Sequence, residues 1–265
     1  MGTIAITGSA SGMGAATKAR LESNGHRVIG VDQRDADIVA DLSSADGRRT
    51  AIEGVHRLAD GSLDGLVTFA GVGPLPGRAG SLLVSVNYFG TVELLGGLRE
   101  LLAAGTDAAA VAISSNSTTT QPGIPPALVA ACLAGDEAEA RRVGDDEGSI
   151  NAYPATKTAV ARWVRRHAPT PEWIGAGITL NAIAPGFIET PMTDEGKADA
   201  ELGPLLEQFP IPVGRPGRRE EIAALVEFLL GPDGRFFCGS LLFNDGGTDA
   251  LLRADDYPVN WELPT

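Results

Sequence analysis

The strongest constraint on the fold lies in the first 32 residues. Thr3-Ile4-Ala5-Ile6-Thr7 is a short apolar run of the kind that forms a buried parallel strand. It leads into Gly8-Ser9-Ala10-Ser11-Gly12-Met13-Gly14, then a helical segment from Ala15 to Ser23 that Asn24-Gly25 stops. His26 to Val31 returns as a second strand and ends in Asp32. A strand, a glycine-rich turn, a helix and a strand make a βαβ unit, which forces a parallel sheet with helices on its faces. The glycines allow close backbone approach, and a helix N-terminus offers unpaired amides to a pyrophosphate. Asp32 can accept hydrogen bonds from both hydroxyls of an adenosine ribose and repels a 2′-phosphate, which favours NAD over NADP. Arg34, two residues on, is a residue type that can instead serve that phosphate.

The same alternation continues. Ile38-Val39-Ala40 is a short third strand closing in Asp41-Leu42, where a carboxylate can pair with the adenine amino group and an apolar side chain can cover the ring. A helix cap for Ala45–Leu58 is the plainer reading of Asp41, and the two are compatible. Leu66–Phe69 is the fourth strand and Val72–Gly80 a Gly/Pro-rich surface loop. Leu82–Leu102 has helical periodicity and carries Asn87, whose residue type in mid-helix more often serves packing or backbone bonding than catalysis. Ala108–Ile113 is the fifth strand and delivers Ser114-Ser115 at its C-terminal end, where doubly wound sheets bind ligands. Residues 116–148 form an unusual insertion, with an amphipathic helix expected over Ala127–Val143; a substrate lid and a subunit contact are equal readings of it. Ile178–Ile183 and Ser240–Asn244 are the last strands, and Arg219–Leu230 is a helix. A mobile flap is expected over 188–212, with Phe187, Ile188, Met192 and Leu202 available to cover a substrate. The tail from Ala254 to Thr265, with Tyr257 and Trp261, is read as a subunit contact or partly disordered. The fold expected is α/β: one doubly wound domain over 1–265 with a mostly parallel seven-stranded sheet and helices on both faces.

Chemistry concentrates at Tyr153 and Lys157. Four positions apart on a helix, they share a face. A phenol with a reference pKa of about 10 is a poor acid or base near neutrality, and an adjacent ammonium favours the phenolate. Ser115, from the neighbouring strand end, can hold the substrate oxygen. That set moves a proton on or off a carbonyl or alcohol oxygen and needs a separate electron carrier. Pro154 follows the tyrosine, and proline suits only a first helical turn, so Tyr153 is expected at the very start of its helix.

The net charge of −13 argues against nucleic acid or an anionic membrane surface as the main partner. There is no run of about 18 apolar residues for a membrane span, and no basic stretch ahead of an apolar one at the N-terminus. Two cysteines, Cys132 and Cys238, stand far apart in no metal-like spacing, which suggests a reducing cytoplasm.

Taken together, Thr7 to Gly14, Asp32, Asp41, Ala70-Gly71, Asn87, Ile113-Ser114-Ser115, Tyr153 with Lys157, Pro185-Gly186 and Asp245-Gly246-Gly247 resemble the short-chain dehydrogenases/reductases, in that family's order and over nearly the whole chain. The stretches Asp32–Asp37, Ala40–Ser43, Ser85–Gly90 and Ile183–Gly186, with the long insertion before Tyr153, are most similar to its bacterial 3α-hydroxysteroid dehydrogenase/carbonyl reductase branch. The resemblance implies a Rossmann-type fold and reversible hydride transfer between NAD(H) and a secondary alcohol or ketone, a hydroxysteroid or other bulky hydrophobic carbonyl. It implies Tyr153 as general acid/base, Lys157 as the group that lowers its pKa and holds the nicotinamide ribose, Ser115 on the substrate oxygen, and Asn87 fixing a water that relays protons from Lys157. The implied NAD set is Gly8, Ser11, Gly12, Met13, Gly14, Asp32, Gln33, Asp41, Leu42, Ala70, Gly71, Tyr153, Lys157, Pro185, Gly186, Ile188 and Thr190. The implied substrate set is Ser115, Ser117, Tyr153, Phe187 and Met192, with no metal. A homodimer or homotetramer is implied, with the usual four-helix contact blocked by the insertion. The chain departs from the family's Asn-Asn-Ala-Gly with Thr68-Phe69-Ala70-Gly71, from its small residue with Pro154, and from Ser-Lys with Thr156-Lys157. Two other readings are a 3-oxoacyl-thioester reductase preferring NADPH, which Asp32 opposes, and a silent dinucleotide sensor, which the intact Tyr153 and Lys157 oppose.

Overall fold

A computed structural model describes residues 2–257, 259 and 260; of the C-terminal tail, Pro258 and Trp261–Thr265 lie outside the described residues. Seven strands form one sheet: β1 Thr3–Thr7, β2 Arg27–Asp32, β3 Ile38–Val39, β4 Gly65–Thr68, β5 Ala109–Ile113, β6 Thr179–Pro185 and β7 Leu241–Asn244. Their order is β3-β2-β1-β4-β5-β6-β7, and every neighbouring pair is parallel. The order reverses between β1 and β4, which opens a crevice beyond their C-terminal ends. Such strands are covered on both faces, so they read as continuous apolar runs: β4, β5 and β6 are buried throughout.

The helices are α1 Gly12–Ser23, α2 Ala45–Leu58, α3 Gly80–Leu83, α4 Gly90–Gly97, α5 Arg99–Ala103, α6 Ser117–Thr120, α7 Pro126–Ala134, α8 Glu137–His167, α9 Pro191–Ala198, α10 Leu202–Glu207, α11 Arg219–Leu230 and α12 Thr248–Leu252. They divide the core in two. On one face Leu66, Ala110 and Leu180 pack against Leu94, Val160 and Leu128; on the other Ile4, Val67 and Val111 pack against Leu21, Ile222 and Val226.

Three expectations about helices are corrected. The helix expected over Leu82–Leu102 is interrupted: α3 passes into a π-helical turn, Val84–Phe89, before α4 resumes. The single helix expected over Ala127–Val143 is two. Gly135, at φ 75°, ends α7, and Asp136 caps α8 by accepting from the Glu139 amide. Tyr153 does not begin its helix: α8 is two helical pieces that meet at the non-helical Gly148, φ 74°, and Tyr153 is the fifth residue of the second. Pro154 then sits beyond the first turn, and the Ile150 carbonyl it cannot serve accepts from Gln121 Nε2 at 3.0 Å. The expected flap contains α9, with a capping box between Thr190 and Thr193, and α10.

The insertion is packed on the body. Leu128, Val129 and Cys132 of α7 and Ala140 of α8 are buried in the larger core. A β-carbon on Gly80 would fall 1.8 Å from the Gly144 carbonyl oxygen, so the insertion arm and α3 cross backbone to backbone.

Candidate active site

The crevice at the reversal point is a cleft of about 410 Å³. Its floor is the turn after β1, and three glycines there serve three needs. Gly8, at φ +69°, lies where a β-carbon would be 2.7 Å from the Ala70 amide nitrogen. Gly12 has room beside Thr190 but holds φ +54°. Gly14 is needed for contact alone, since its β-carbon would stand 2.0 Å from the Gly8 carbonyl oxygen. Ser11 makes no side-chain capping bond to α1, so the first-turn amides face the cleft without a side-chain acceptor.

Asp32 closes β2 at the cleft wall. Its Oδ2 accepts from the Ala10 amide at 3.0 Å and its Oδ1 from the Gln33 amide at 2.7 Å, which fixes the carboxylate and leaves further lone pairs toward the cleft. Gly8, Ser11, Gly12, Met13, Gly14, Asp32, Gln33, Leu42, Ala70, Gly71 and Thr190 all line the cleft. Asp41 is not among the lining residues; its Oδ1 accepts from the Ser43 amide at 2.9 Å and from Gln33, bonds that lower its pKa. Ala10, Val31, Arg34, Ala40, Phe69, Val72, Val86, Pro191 and Met192 also line it. Arg34 apart, sequence reasoning had not placed these residues there for the cofactor. Phe69 carried the signal, as the departure after β4: its Cβ would lie 3.4 Å from a β-carbon on Gly14, under the turn.

Pro185, Gly186 and Ile188 are not among the lining residues. Ile188 is buried in the smaller core and covers Gly217, while Gly186 is held against Asp245. Phe187 stacks under Lys197, whose Nζ is 5.1 Å from the ring centroid. Met192 Cγ would lie 2.9 Å from a β-carbon on Gly73, so α9 rests directly on the loop after Gly71.

Beyond Gly71 the cleft leads to Lys157, whose Nζ is 3.6 Å from where a Gly71 β-carbon would stand and 5.9 Å from the centroid of the Tyr153 ring. Lys157 Nζ donates to the Ile113 carbonyl at 3.0 Å, and Ser114 Oγ donates to the Lys157 carbonyl at 2.9 Å, so the end of β5 and the middle of α8 are tied together. Burial lowers the Lys157 pKa to about 8. The Tyr153 phenol is pushed up by burial, with the adjacent Ser115 hydroxyl acting the other way. Among these two effects the cost of burying a phenolate is the larger. Ser115 Oγ accepts from the Ser117 amide at 3.1 Å, and the buried Ser117 hydroxyl has no partner among the described residues. Asn87 is fully buried and clamps the loop after Gly71: its Oδ1 accepts from the Val72 amide at 2.8 Å and its Nδ2 donates to the Val72 carbonyl at 3.0 Å. Both bonds go to backbone, so the packing role first read for this residue is present. No cluster of metal-ligating side chains occurs among the described residues, and no helix there is long and apolar enough to cross a membrane.

Comparison with known proteins agrees with this geometry. The family model described as enoyl-(acyl carrier protein) reductase matches residues 136–249. The chain is 39% identical over 260 residues to the 3-alpha-hydroxysteroid dehydrogenase/carbonyl reductase of Comamonas testosteroni, covering 97% of this chain and all of the relative. It is 32% identical to the cis-4-hydroxycyclohexanecarboxylate dehydrogenase of Sinomonas cyclohexanicum, over 93% of this chain and 96% of the relative. The crystal structure of the 3-alpha-hydroxysteroid dehydrogenase from Pseudomonas sp. B-0831 complexed with NADH superposes with a TM-score of 0.91 at 47% identity, covering 96% and 99% of the two chains. The chain belongs to the short-chain dehydrogenases/reductases and is an oxidoreductase of that family.

Proposed function

We propose that this protein is an NAD(H)-dependent oxidoreductase that interconverts a secondary alcohol and a ketone, with a 3-hydroxysteroid or another bulky hydrophobic carbonyl as substrate. The observation that carries the reading is the grouping of Ser115, Tyr153 and Lys157 beyond Gly71, at the end of the cleft over the glycine turn. The residues present fit NAD. The glycine turn leaves room for a pyrophosphate at the start of α1, and Asp32 suits two ribose hydroxyls and disfavours a 2′-phosphate. Bound NAD would supply the hydride acceptor, or as NADH the donor. Ser115 would hold the substrate oxygen. Tyr153 would take the hydroxyl proton during oxidation and return it during reduction. Lys157 would orient the nicotinamide ribose, and its positive charge, with that of the oxidised ring, would favour the phenolate against the burial penalty. Asn87 would join Lys157 to solvent through a held water.

The relatives support the substrate class: two are named for hydroxysteroids and one for a hydroxylated cyclohexane acid. Phe187 and Met192 add apolar surface beside the cleft. We further infer one domain over 1–265, a cytoplasmic site of action, and assembly as a homodimer or homotetramer, for which the fully exposed Phe236 offers apolar contact. The test is oxidation of androsterone with NAD against NADP, alongside a panel of ketones with NADH. Turnover with NAD, weak use of NADP, and gain of NADP use in Asp32→Ala are the expected results. Equal use of both coenzymes, or no turnover of any alcohol or ketone, would overturn the reading.

A further inference from the structure

The helix that carries Tyr153 and Lys157 has a second stripe of side chains that the proposed reaction does not use. Glu137, Arg141 and Asp145 lie at intervals of four before the break at Gly148, and Ser149, Tyr153 and Lys157 lie at intervals of four after it, so each set of three shares a face of its own helical piece. The non-helical Gly148, at φ 74° and ψ 165°, separates the two sets.

Each member of the first set, and Ser149 of the second, bonds to the segment that leads to Asn87. Glu137 Oε1 accepts from Ser85 Oγ at 2.7 Å, and Arg141 donates to the same hydroxyl. Asp145 Oδ1 accepts from the Ser81 amide at 2.8 Å. Ser149 Oγ accepts from the Leu75 amide at 3.2 Å and donates to the Leu75 carbonyl. Ser85 is fully buried, lies two residues before Asn87, and belongs to the same π-helical turn, a geometry found frequently at functional sites. Glu137 is held in turn by Arg48, itself 1% exposed, which also binds Glu93 and the Leu42 carbonyl at the cleft wall.

We infer that the insertion arm is a register device: its stripe positions the Tyr153–Lys157 face of α8 against the Asn87 turn, making Ser85, Glu137 and Ser149 positioning residues for the proton relay. The inference rests on the reading that Tyr153, Lys157 and Asn87 handle the proton. Losing one hydrogen bond here does not remove a reacting group; it lets two rigid elements slide, and a small misplacement is enough to slow a proton transfer.

The test uses the full chain, androsterone and NAD, with Ser85→Ala and Ser149→Ala as gentle variants. Glu137→Ala is the harsher one, because it leaves a buried guanidinium short of a partner. The expected result is a fall in kcat of about tenfold or more, with KM for NAD held within about twofold, a shifted pH profile of kcat, and recovery in Ser149→Thr and Glu137→Gln. Hydrogen exchange of amides 84–89 should rise in Ser149→Ala, whether or not the steroid is turned over, so this arm stands even if the functional reading fails. Wild-type exchange over 84–89 in all three variants would overturn the inference. So would a kcat loss that only follows loss of folded protein, with the pH profile unmoved.

Discussion

The turn at residues 8–14 and the arm at 137–157 both bring distant backbone together, and they do it by opposite means. The turn works by omission: Gly8 and Gly14 lack the β-carbons that would strike Ala70 and the Gly8 carbonyl. The arm works mainly by addition, through polar side chains that reach Ser85, Ser81 and Leu75. A missing β-carbon leaves one clear mark in a sequence, whether its neighbour is local, as for Gly14, or distant, as for Gly8. A polar side chain four residues from the next is ordinary in any solvated helix, and only its partners make it meaningful. The turn is thereby a rigid receptacle for a ligand, whereas the arm is a set of adjustable bonds that aligns reacting groups.

The largest effect should come from the arm's last members. Tyr153→Phe keeps the ring and removes only the hydroxyl. We expect kcat to fall by about 10²–10⁴-fold, the span of a general acid/base, with NADH affinity measured by fluorescence nearly unchanged. A parallel loss of NADH binding would show that the phenol serves the receptacle and not the chemistry, and the contrast between the two regions would fail.

Next come the close approaches, one in each region. Gly14→Ala drives a methyl against the Gly8 carbonyl, and Gly80→Ala drives one to 1.8 Å from the Gly144 carbonyl. Each should destabilise by about 3 kcal/mol or more, since neither neighbour is a side chain that can swing away. The two should separate in function. Gly14→Ala should lose NADH binding. Gly80→Ala should keep it and lose kcat. Denaturant unfolding beside coenzyme titration checks both, and identical functional profiles would break the comparison.

This difference also explains what could be read in advance. The parallel seven-stranded sheet, the turn and the Tyr153–Lys157 pair were legible because apolar runs and glycines report local necessity. The break at Gly135 was missed because Ala127–Val143 is apolar and polar in helical proportion, and a single left-handed glycine overrules periodicity. The start of α8 was misjudged because Pro154 is tolerated through a partner, Gln121, that no local rule supplies. The direction of the Tyr153 shift depends on burial, a tertiary quantity that four-residue spacing cannot carry.

A pH experiment sharpens the electrostatic side of the arm. Burial lowers Lys157 from an ordinary 10.5 to about 8. Below about pH 8 both folded and unfolded chains hold this proton, and the folded state bears the whole burial penalty. Between there and about pH 10.5 the unfolded chain holds more protons, so stability from this group rises with pH. Lys157→Met removes the effect. The variant should be more stable than the wild type by on the order of 3 kcal/mol below pH 8, and the gap should close as pH approaches 10.5. The raised thiol of Cys132 acts in the opposite sense, but it is common to both proteins and cancels in the difference. A gap that stays constant with pH would mean that Lys157 holds its proton in the fold as firmly as in water.

The smallest effect lies where the two regions meet. Helix α9 touches both: Thr190 and Pro191 lie against Gly12 of the turn, and Glu195 bonds Arg78 at 2.8 Å. Arg78 donates to the Gly73 carbonyl and sits in the loop whose Leu75 Ser149 holds. The Arg78 and Glu195 side chains are 19% and 49% exposed, so the pair should contribute less than about 1 kcal/mol, and less again at high salt. Glu195→Ala should speed NADH release by no more than about fivefold, within that energy. Stopped-flow fluorescence at two salt concentrations measures it. Salt should bring the wild type toward the variant and leave the variant where it is, because the variant has already lost the screened contact. Release that quickens far beyond this, or that ignores salt, would mean that α9 is held by the Met192–Gly73 contact alone, and the steric logic of the turn would then extend across the mouth of the cleft.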